Sequence, residues 1–519
     1  MKTEGEAQNK GPKSRVARTV LDFCQNSSFH AISYIGDRKR RFVERTWWFA
    51  ALIASVSLCI VSIYSIWCKW CENPVIVSMS NKPMSVGEIP FPAVTICPLT
   101  KFSTKLFNFT QAYRSIFELD DNHTQPITEE ELNLMKIASQ ICDNTFAGDV
   151  LENFTDIYSD HRMLEIIRDL APSFDDTMFD CKFLGETKCE KLFFPIVTEE
   201  GLCYTFNAMS VKEITTDKLS SDFLRIGPNS SSSSNWDMYA GYNDSNGAES
   251  YPNRVYGTSV QSGISVILKV LKENIDPLCA GGINGFKVTF HPPQEGPQIW
   301  EKFFHISPGK SAIFTINPNV IETSQAVLRY SPDIRQCYYK SERLLRFYRH
   351  YTQRNCEVEC LANFTLAQCG CIEFSMSRSN ETKICGPGKI SCCSDASQEV
   401  FTSGAFDKCK CLPSCSTISY DAVATQGDYD LSSAWSKSKY QTKFSFDNST
   451  FSRLVIFFKE EMFIPMKRTE FYSLSSFLAS SGGLFGLFLG ASLLSFIELI
   501  YYFSFRIFFP PNEKMGINE

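Results

Sequence analysis

Histidine is scarce in this 519-residue chain, with only six, and no G-x-S-x-G, H-E-x-x-H or phosphate-loop pattern occurs. Without a nucleophile elbow, a zinc helix or a phosphate cradle there is no catalytic constellation, so the chain does not read as an enzyme. An excess of positive charge is also lacking. The 51 Lys and Arg stand against 57 Asp and Glu, a net charge of −6, which offers no basic surface to a nucleic acid. Two stretches lack charge almost completely: residues 471–505 hold one charged side chain, Glu498, in thirty-five, and Trp47–Trp67 holds none in twenty-one.

About 20 apolar residues span a bilayer core of roughly 30 Å. Trp47–Trp67 has that length, with Trp47 and Trp48 at one end and Tyr64 and Trp67 at the other, the aromatic belts of a membrane helix. It starts too late, between flanks too bulky, for a cleaved signal peptide. Residues 1–45 carry ten Lys or Arg against five acidic residues, with Arg38-Lys39-Arg40-Arg41 just before the span. That bias places the N-terminus in the cytoplasm, and a second span returns the tail to the same side. The expected organisation is a cytoplasmic segment 1–45, a first membrane helix 46–68, an extracellular block 69–470, a second membrane helix 471–505 and a cytoplasmic tail 506–519. Within the second span, Gly482, Gly486 and Gly490 stand four apart, a spacing for close backbone approach, and Glu498 is a carboxylate at membrane depth. Both features suit a pore.

Of 21 cysteines, seventeen fall between Cys97 and Cys415, a disulfide framework in an oxidising compartment. A cysteine-held metal is not expected there. Eight N-x-S/T sequons share the block, at Asn108, Asn122, Asn153, Asn229, Asn243, Asn363, Asn380 and Asn448. Asn26 also fits the rule but faces the cytosol. Alternating runs at Ala93–Cys97, Cys203–Phe206 and Phe286–Phe290, with helical periodicity over Glu129–Ile141 and Asp160–Leu170, predict an α+β domain.

The most specific local pattern runs from Cys337 to Cys415. Residues Ser341–His350 read as an amphipathic helix through Leu344, Leu345, Phe347 and Tyr348. Cys356 and Cys360, four apart, lie on one helical face about 6 Å apart, and Cys409 and Cys411 in an extended chain are spaced about 6.6 Å on one side. The match predicts Cys356–Cys411 and Cys360–Cys409, with Cys337–Cys415 continuing the ladder. Cys369 and Cys371 form a second extended pair, expected to bond Cys393 (or Cys392) and Cys385. The pairing of Cys68, Cys71, Cys142, Cys279 and Cys392 is left open. Cys68-Lys69-Trp70-Cys71 has redox-motif spacing but no βαβ context.

Ser28-Phe29-His30, Phe91-Pro92-Ala93-Val94-Thr95-Ile96-Cys97, Gly201-Leu202-Cys203-Tyr204-Thr205-Phe206-Asn207, the cysteine ladder and Gly490-Ala491-Ser492 with Glu498 downstream occur in one order along the whole chain. Together they resemble the degenerin and epithelial sodium channel superfamily, and within it the insect pickpocket group. The resemblance implies two membrane helices flanking a disulfide-rich extracellular domain, in a subunit of a trimeric, sodium-selective, amiloride-sensitive, voltage-independent cation channel of the plasma membrane. Such a channel answers a sensory stimulus, assembles as a homotrimer or a heterotrimer with related subunits, and uses no cofactor beyond the permeant sodium ion. The resemblance also implies the bridges Cys97–Cys203 and Cys181–Cys189; with the family pairs assigned, Cys142 and Cys279 remain, and their mutual pairing is a guess.

Carried over by position, Gly490, Ala491 and Ser492 match the selectivity constriction. Small side chains, carbonyls and a hydroxyl there supply the hard oxygen ligands that replace a sodium ion's water. Glu498 is expected below it at the cytoplasmic mouth, Ala479 where a small residue lets the pore close, and His30 in a gating pair. The pair is here His30-Ala31, without the backbone freedom of a glycine. Ser480 replaces a common acidic residue, and Ile334 stands where acid-sensing relatives carry a tryptophan, against proton gating in their manner. Two other readings are a non-conducting accessory or receptor subunit that needs partners, and an unrelated two-span trimer of the purinergic kind.

Overall fold

The computed structural model describes residues 12–37, 39–72, 74–117, 127–142, 148, 153–226, 233–243, 250–402, 404, 408–436 and 448–508. The chain divides into two compact units, Val77–Arg468 and a second built from Met1–Ile76 with Thr469–Glu519.

The Val77–Arg468 unit mixes strands and helices around two sheets. The smaller is antiparallel, in the order Phe304–Ile306, Phe286–His291, Ala93–Pro98, Gly201–Phe206, Phe193–Thr198. Its two middle strands, Ala93–Pro98 and Gly201–Phe206, are buried at every residue, so both faces are covered. The larger sheet is seven-stranded, with the long strand Lys310–Thr323 at its centre. That strand pairs antiparallel with Thr417–Asp428 and parallel with Ser449–Phe458, which continues to Ile264–Leu271 and Met178–Phe183. Ile264–Leu271 alternates buried and half-buried residue by residue, the period-two pattern of ISVILKVL. Phe91, Phe183, Phe206 and Phe458 join the two sheets, with ring centroids 4.8 Å apart for Phe183–Phe206 and 5.4 Å for Phe91–Phe458. Aromatic rings of this size dominate core burial, and edge-to-face pairs add about 1 kcal/mol each.

Beside the sheets, the helix Gln353–Cys369 carries the cysteine ladder. Thr352 caps it by accepting from Asn355 N at 3.1 Å, and Gly370, at φ 73°, ends it in the left-handed region that glycine enters without a Cβ penalty. The structure forms Cys337–Cys415, Cys356–Cys411, Cys360–Cys409 and Cys371–Cys385, along with Cys97–Cys203, Cys181–Cys189 and Cys142–Cys279.

Several expectations are corrected. Cys369 bonds Cys392, not Cys393. Both candidates sit on the helix Ile390–Thr402, where neighbours point about 100° apart, so only one can face Cys369. Cys393 is turned to the other side, buried, with its thiol 3.2 Å from Cys385 Sγ. Neither paired segment is extended: Lys410 takes φ 48° between Cys409 and Cys411, and Gly370 turns the chain between Cys369 and Cys371. Residues Ser341–His350 form no helix. Their backbone groups are engaged elsewhere: Arg346 N and Phe347 N donate to the Glu359 carboxylate at 2.9 Å, Thr216 N donates to Phe347 O, and Arg349 N donates to Ile214 O. The periodicity is real, but a helix would need those same groups.

In the other unit, the helix Phe42–Glu72 has 31 residues, longer than the expected 46–68 and long and apolar enough to cross a bilayer. The stretch 471–505 is not one helix. It forms Leu474–Leu489 and Leu493–Phe503, bent by 72° at Gly490–Ser492, and the two together pass the same length and composition test.

Candidate pore and gating segment

The break in the second apolar stretch falls on Gly490-Ala491-Ser492. Gly490 has φ 62° and ψ 19°, a left-handed conformation that costs an L side chain about 1–2 kcal/mol. Gly490 N–H donates to Gly486 O at 3.0 Å and Ala491 N–H turns back to Phe485 O at 3.3 Å, which ends the first helix. Ser492 then starts the second: its hydroxyl accepts from Ser495 N, and Ser492 N donates to Ser495 Oγ at 3.1 Å. A helix end leaves up to four carbonyls without helical partners, so a break here exposes backbone oxygens where a continuous helix would hide them.

The N-terminal segment packs against this break. Ser28 Oγ donates to Glu498 Oε2 at 2.7 Å and lies 2.8 Å from Ser495 Oγ, while Ser28 N donates to the same Glu498 oxygen at 3.3 Å. Phe23 and Phe29 are buried with Ala491 and Tyr502, against Phe485, Leu489 and Ile32. Phe23 meets Tyr502 edge-on at 5.3 Å, and Asp22 pairs with Arg506. Glu498 thus has named hydrogen-bond donors 470 residues away in sequence, and Ser28 and Ser495 are residues to which spacing had assigned no role. Nothing local signals the contact.

The other expected site residues are distributed as follows. His30 opens the helix His30–Gly36, with its side chain outside the described residues; Ala31 follows, half-buried. Tyr34 of that helix stacks on Trp48 at 4.6 Å, and Arg45 Nε donates to Ile35 O, which ties the segment to Phe42–Glu72. Ala479 is exposed and Ser480 half-buried on Leu474–Leu489. A Cβ added at Gly482 or Gly483 would meet nothing within 4 Å in this single chain, whereas at Gly486 it would meet Ala491 O at 4.0 Å. Trp67, Trp70 and Phe477 form a ring cluster between Phe42–Glu72 and Leu474–Leu489, with Trp70 and Phe477 stacked at 5.3 Å. Of the sequons, Asn153, Asn243, Asn363, Asn380 and Asn448 are exposed and Asn108 is half-buried; Asn122 and Asn229 lie outside the described residues.

In the larger unit, Ile334 is half-exposed on the short helix Pro332–Arg335. Glu200 accepts from both Lys101 and Lys287, a largely buried triad. Burial alone would push the Glu200 carboxyl up; the two ammonium groups overcome it and hold the group below the usual carboxylate range.

A broken apolar helix with small residues at the break, a second membrane-length helix and a cystine-rich α+β unit are the parts expected of an ion-channel subunit. The pattern of the amiloride-sensitive sodium channel family matches residues 23–502, and the chain belongs to that family. Its relatives include Pickpocket protein 28 of Drosophila melanogaster, 26% identical over an alignment of 507 residues that covers 95% of this chain and 79% of that protein. Sodium channel protein Nach of the same fly is 23% identical over 94% of this chain and 87% of its own. Acid-sensing ion channel 4-B of Danio rerio is 22% identical over 93% of this chain and 75% of its own.

Proposed function

We propose that this chain is a subunit of a trimeric, sodium-selective, amiloride-sensitive, voltage-independent cation channel of the plasma membrane, opened by a sensory stimulus. In this reading Phe42–Glu72 and the bent pair Leu474–Leu489 and Leu493–Phe503 cross the bilayer, both termini are cytoplasmic, and copies of the bent pair line the conducting path. The observation that carries it is the helix break at Gly490-Ala491-Ser492. Three such breaks around an axis would bring carbonyls and hydroxyls together at a narrow radius, the oxygen set that a partly dehydrated sodium ion requires.

Gly482 and Gly483 support the assembly, since nothing in the single chain fills the space before them and a neighbouring backbone can approach there. Ser28 fixes the Glu498 carboxylate at the cytoplasmic side of the break, where three copies attract cations. Ala479 is exposed in the single chain, so enlarging it leaves the subunit's own packing intact and acts on neighbouring copies. Expressed in oocytes, Ala479→Val is expected to give a sustained current, larger in sodium than in potassium and blocked by amiloride. Silence of a surface-expressed mutant alone and with every related partner subunit would overturn the pore assignment. Conduction only on co-expression would favour the second reading, an accessory subunit, to which Ala31 and Ser480 point.

A further inference from the structure

Five cysteines meet at the end of the ladder helix Gln353–Cys369: Cys369, Cys371, Cys385 and Cys393 form one buried cluster, and Cys392 packs against it. Two bridges, Cys369–Cys392 and Cys371–Cys385, use four of them. The fifth, Cys393, keeps its thiol, is fully buried, and places its sulfur 3.2 Å from Cys385 Sγ. Because Cys385 is bonded to Cys371, the thiol rests against an atom that a thiolate attacks in disulfide exchange.

Both reacting partners are held by contacts that an exchange leaves intact. Cys385 N donates to Ile372 O at 2.8 Å, Gly386 N to Ile157 O at 2.9 Å and Ser159 N to Ile384 O at 3.0 Å. These backbone bonds fix Cys385 whether or not Cys371 is bonded to it. Cys393 follows Cys392 on the helix Ile390–Thr402, which the Cys369–Cys392 bridge ties to the ladder helix. Burial pushes the Cys393 thiol up to about 12, with the charge of Glu373 adding to the effect and Lys389 opposing it. The thiolate is the attacking form, so the exchange is slow at neutral pH and faster in mild alkali.

We infer that Cys371, Cys385 and Cys393 form an internal thiol–disulfide exchange site, which passes one bridge between Cys371–Cys385 and Cys385–Cys393. The Cys393 thiol gives up its proton, and its sulfur bonds Cys385 Sγ. The Cys371–Cys385 bond breaks, its electron pair leaves on Cys371 Sγ, and Cys371 takes up a proton. One disulfide and one thiol stand on each side, so no oxidant or reductant takes part. In the first form two bridges tie the end of the ladder helix and the turn after it, through Cys369 and Cys371; in the second Cys369–Cys392 alone does. The inference concerns the disulfide-rich unit and does not depend on the pore assignment.

The test locates the free thiol in the purified full chain in detergent. Thiols accessible in the native protein are blocked with N-ethylmaleimide, the reagent is removed, and the chain is held at pH 9. Samples are then acid-quenched, unfolded and labelled at pH 6 with deuterated maleimide, and the labelled residue is read by peptide mass spectrometry. The label is expected to divide between Cys393 and Cys371, with the share on Cys371 reaching about a tenth or more within a day. Cys393→Ala should leave Cys371 unlabelled throughout. Cys371→Ser should close a Cys385–Cys393 bridge and leave neither residue labelled; if it loses its cooperative thermal transition, the wild type and Cys393→Ala decide. Label confined to Cys393 in the wild type, label on Cys371 in Cys393→Ala, or label on both Cys385 and Cys393 in a folded Cys371→Ser would overturn the inference.

Discussion

Removing the Ser28 hydroxyl should release the N-terminal segment from the broken helix. Ser28 Oγ makes a hydrogen bond of 2.7 Å to an ionised acceptor and a second contact of 2.8 Å to Ser495 Oγ, and alanine loses both. A hydrogen bond to a charged group is worth about 1.5–3 kcal/mol. Ser28 is exposed and Glu498 half-buried, so the lower end applies, about 1.5 kcal/mol or roughly tenfold in the docking equilibrium. Cys24 reports the change. It sits on the same segment, partly buried where the helices Pro12–Asn26 and His30–Gly36 meet, its Cβ 2.6 Å from the position a Cβ on Gly36 would occupy. Burial also raises its thiol, which slows reaction further. In permeabilised membranes, a maleimide gel-shift on Cys24 should proceed about ten times faster in Ser28→Ala than in the wild type, and Glu498→Gln, which keeps an acceptor without the charge, should fall between. An unchanged rate in Ser28→Ala with Cys24 reactive in both would refute the docking.

Glu295 predicts a pH effect on stability. Burial pushes its carboxyl up to about 7, while a carboxyl in the unfolded chain titrates near its ordinary value of 4.5, so the folded protein holds the extra proton between those limits and loses stability as pH rises through them. Glu295→Gln should therefore change little at pH 4.5 and stabilise by about 2–3 kcal/mol at pH 8, read as a widening gap in thermal midpoint; a gap independent of pH would contradict the assignment. Cys393 should stay unalkylated in the native protein at pH 8, since burial pushes its thiol up to about 12, while exposed Cys71 is labelled. Mass spectrometry showing a Cys369–Cys393 bridge, or stoichiometric labelling of native Cys393, would reverse the pairing found here.

Features that depend on local composition were legible without a structure. A bilayer-length apolar run needs no partner to be recognised, and Phe42–Glu72 differs from expectation only at its ends, where residues 42–45 and 69–72 extend the helix. The ladder pairs Cys356–Cys411 and Cys360–Cys409 form as expected, and their helical half was legible because a helix fixes which side chains share a face; the extended half was not, since Lys410 turns the chain between Cys409 and Cys411. Sequence also set the small residues at Gly490-Ala491-Ser492 and the lone charge at Glu498. Tertiary structure decided what composition leaves degenerate. Ser341–His350 has the periodicity of a helix, and only the Glu359 carboxylate and the Thr216 and Ile214 backbone, distant in sequence, take the hydrogen bonds that a helix would have used. Cys392 and Cys393 are chemically identical neighbours, separated only by which way the helix Ile390–Thr402 is rotated against Cys369. The reach of Ser28 to Ser495 and Glu498 likewise rests on contacts between segments more than 460 residues apart. Spacing within one element is a property of the chain, but the partner that satisfies a backbone amide, a thiol or a carboxylate is chosen only when the elements pack.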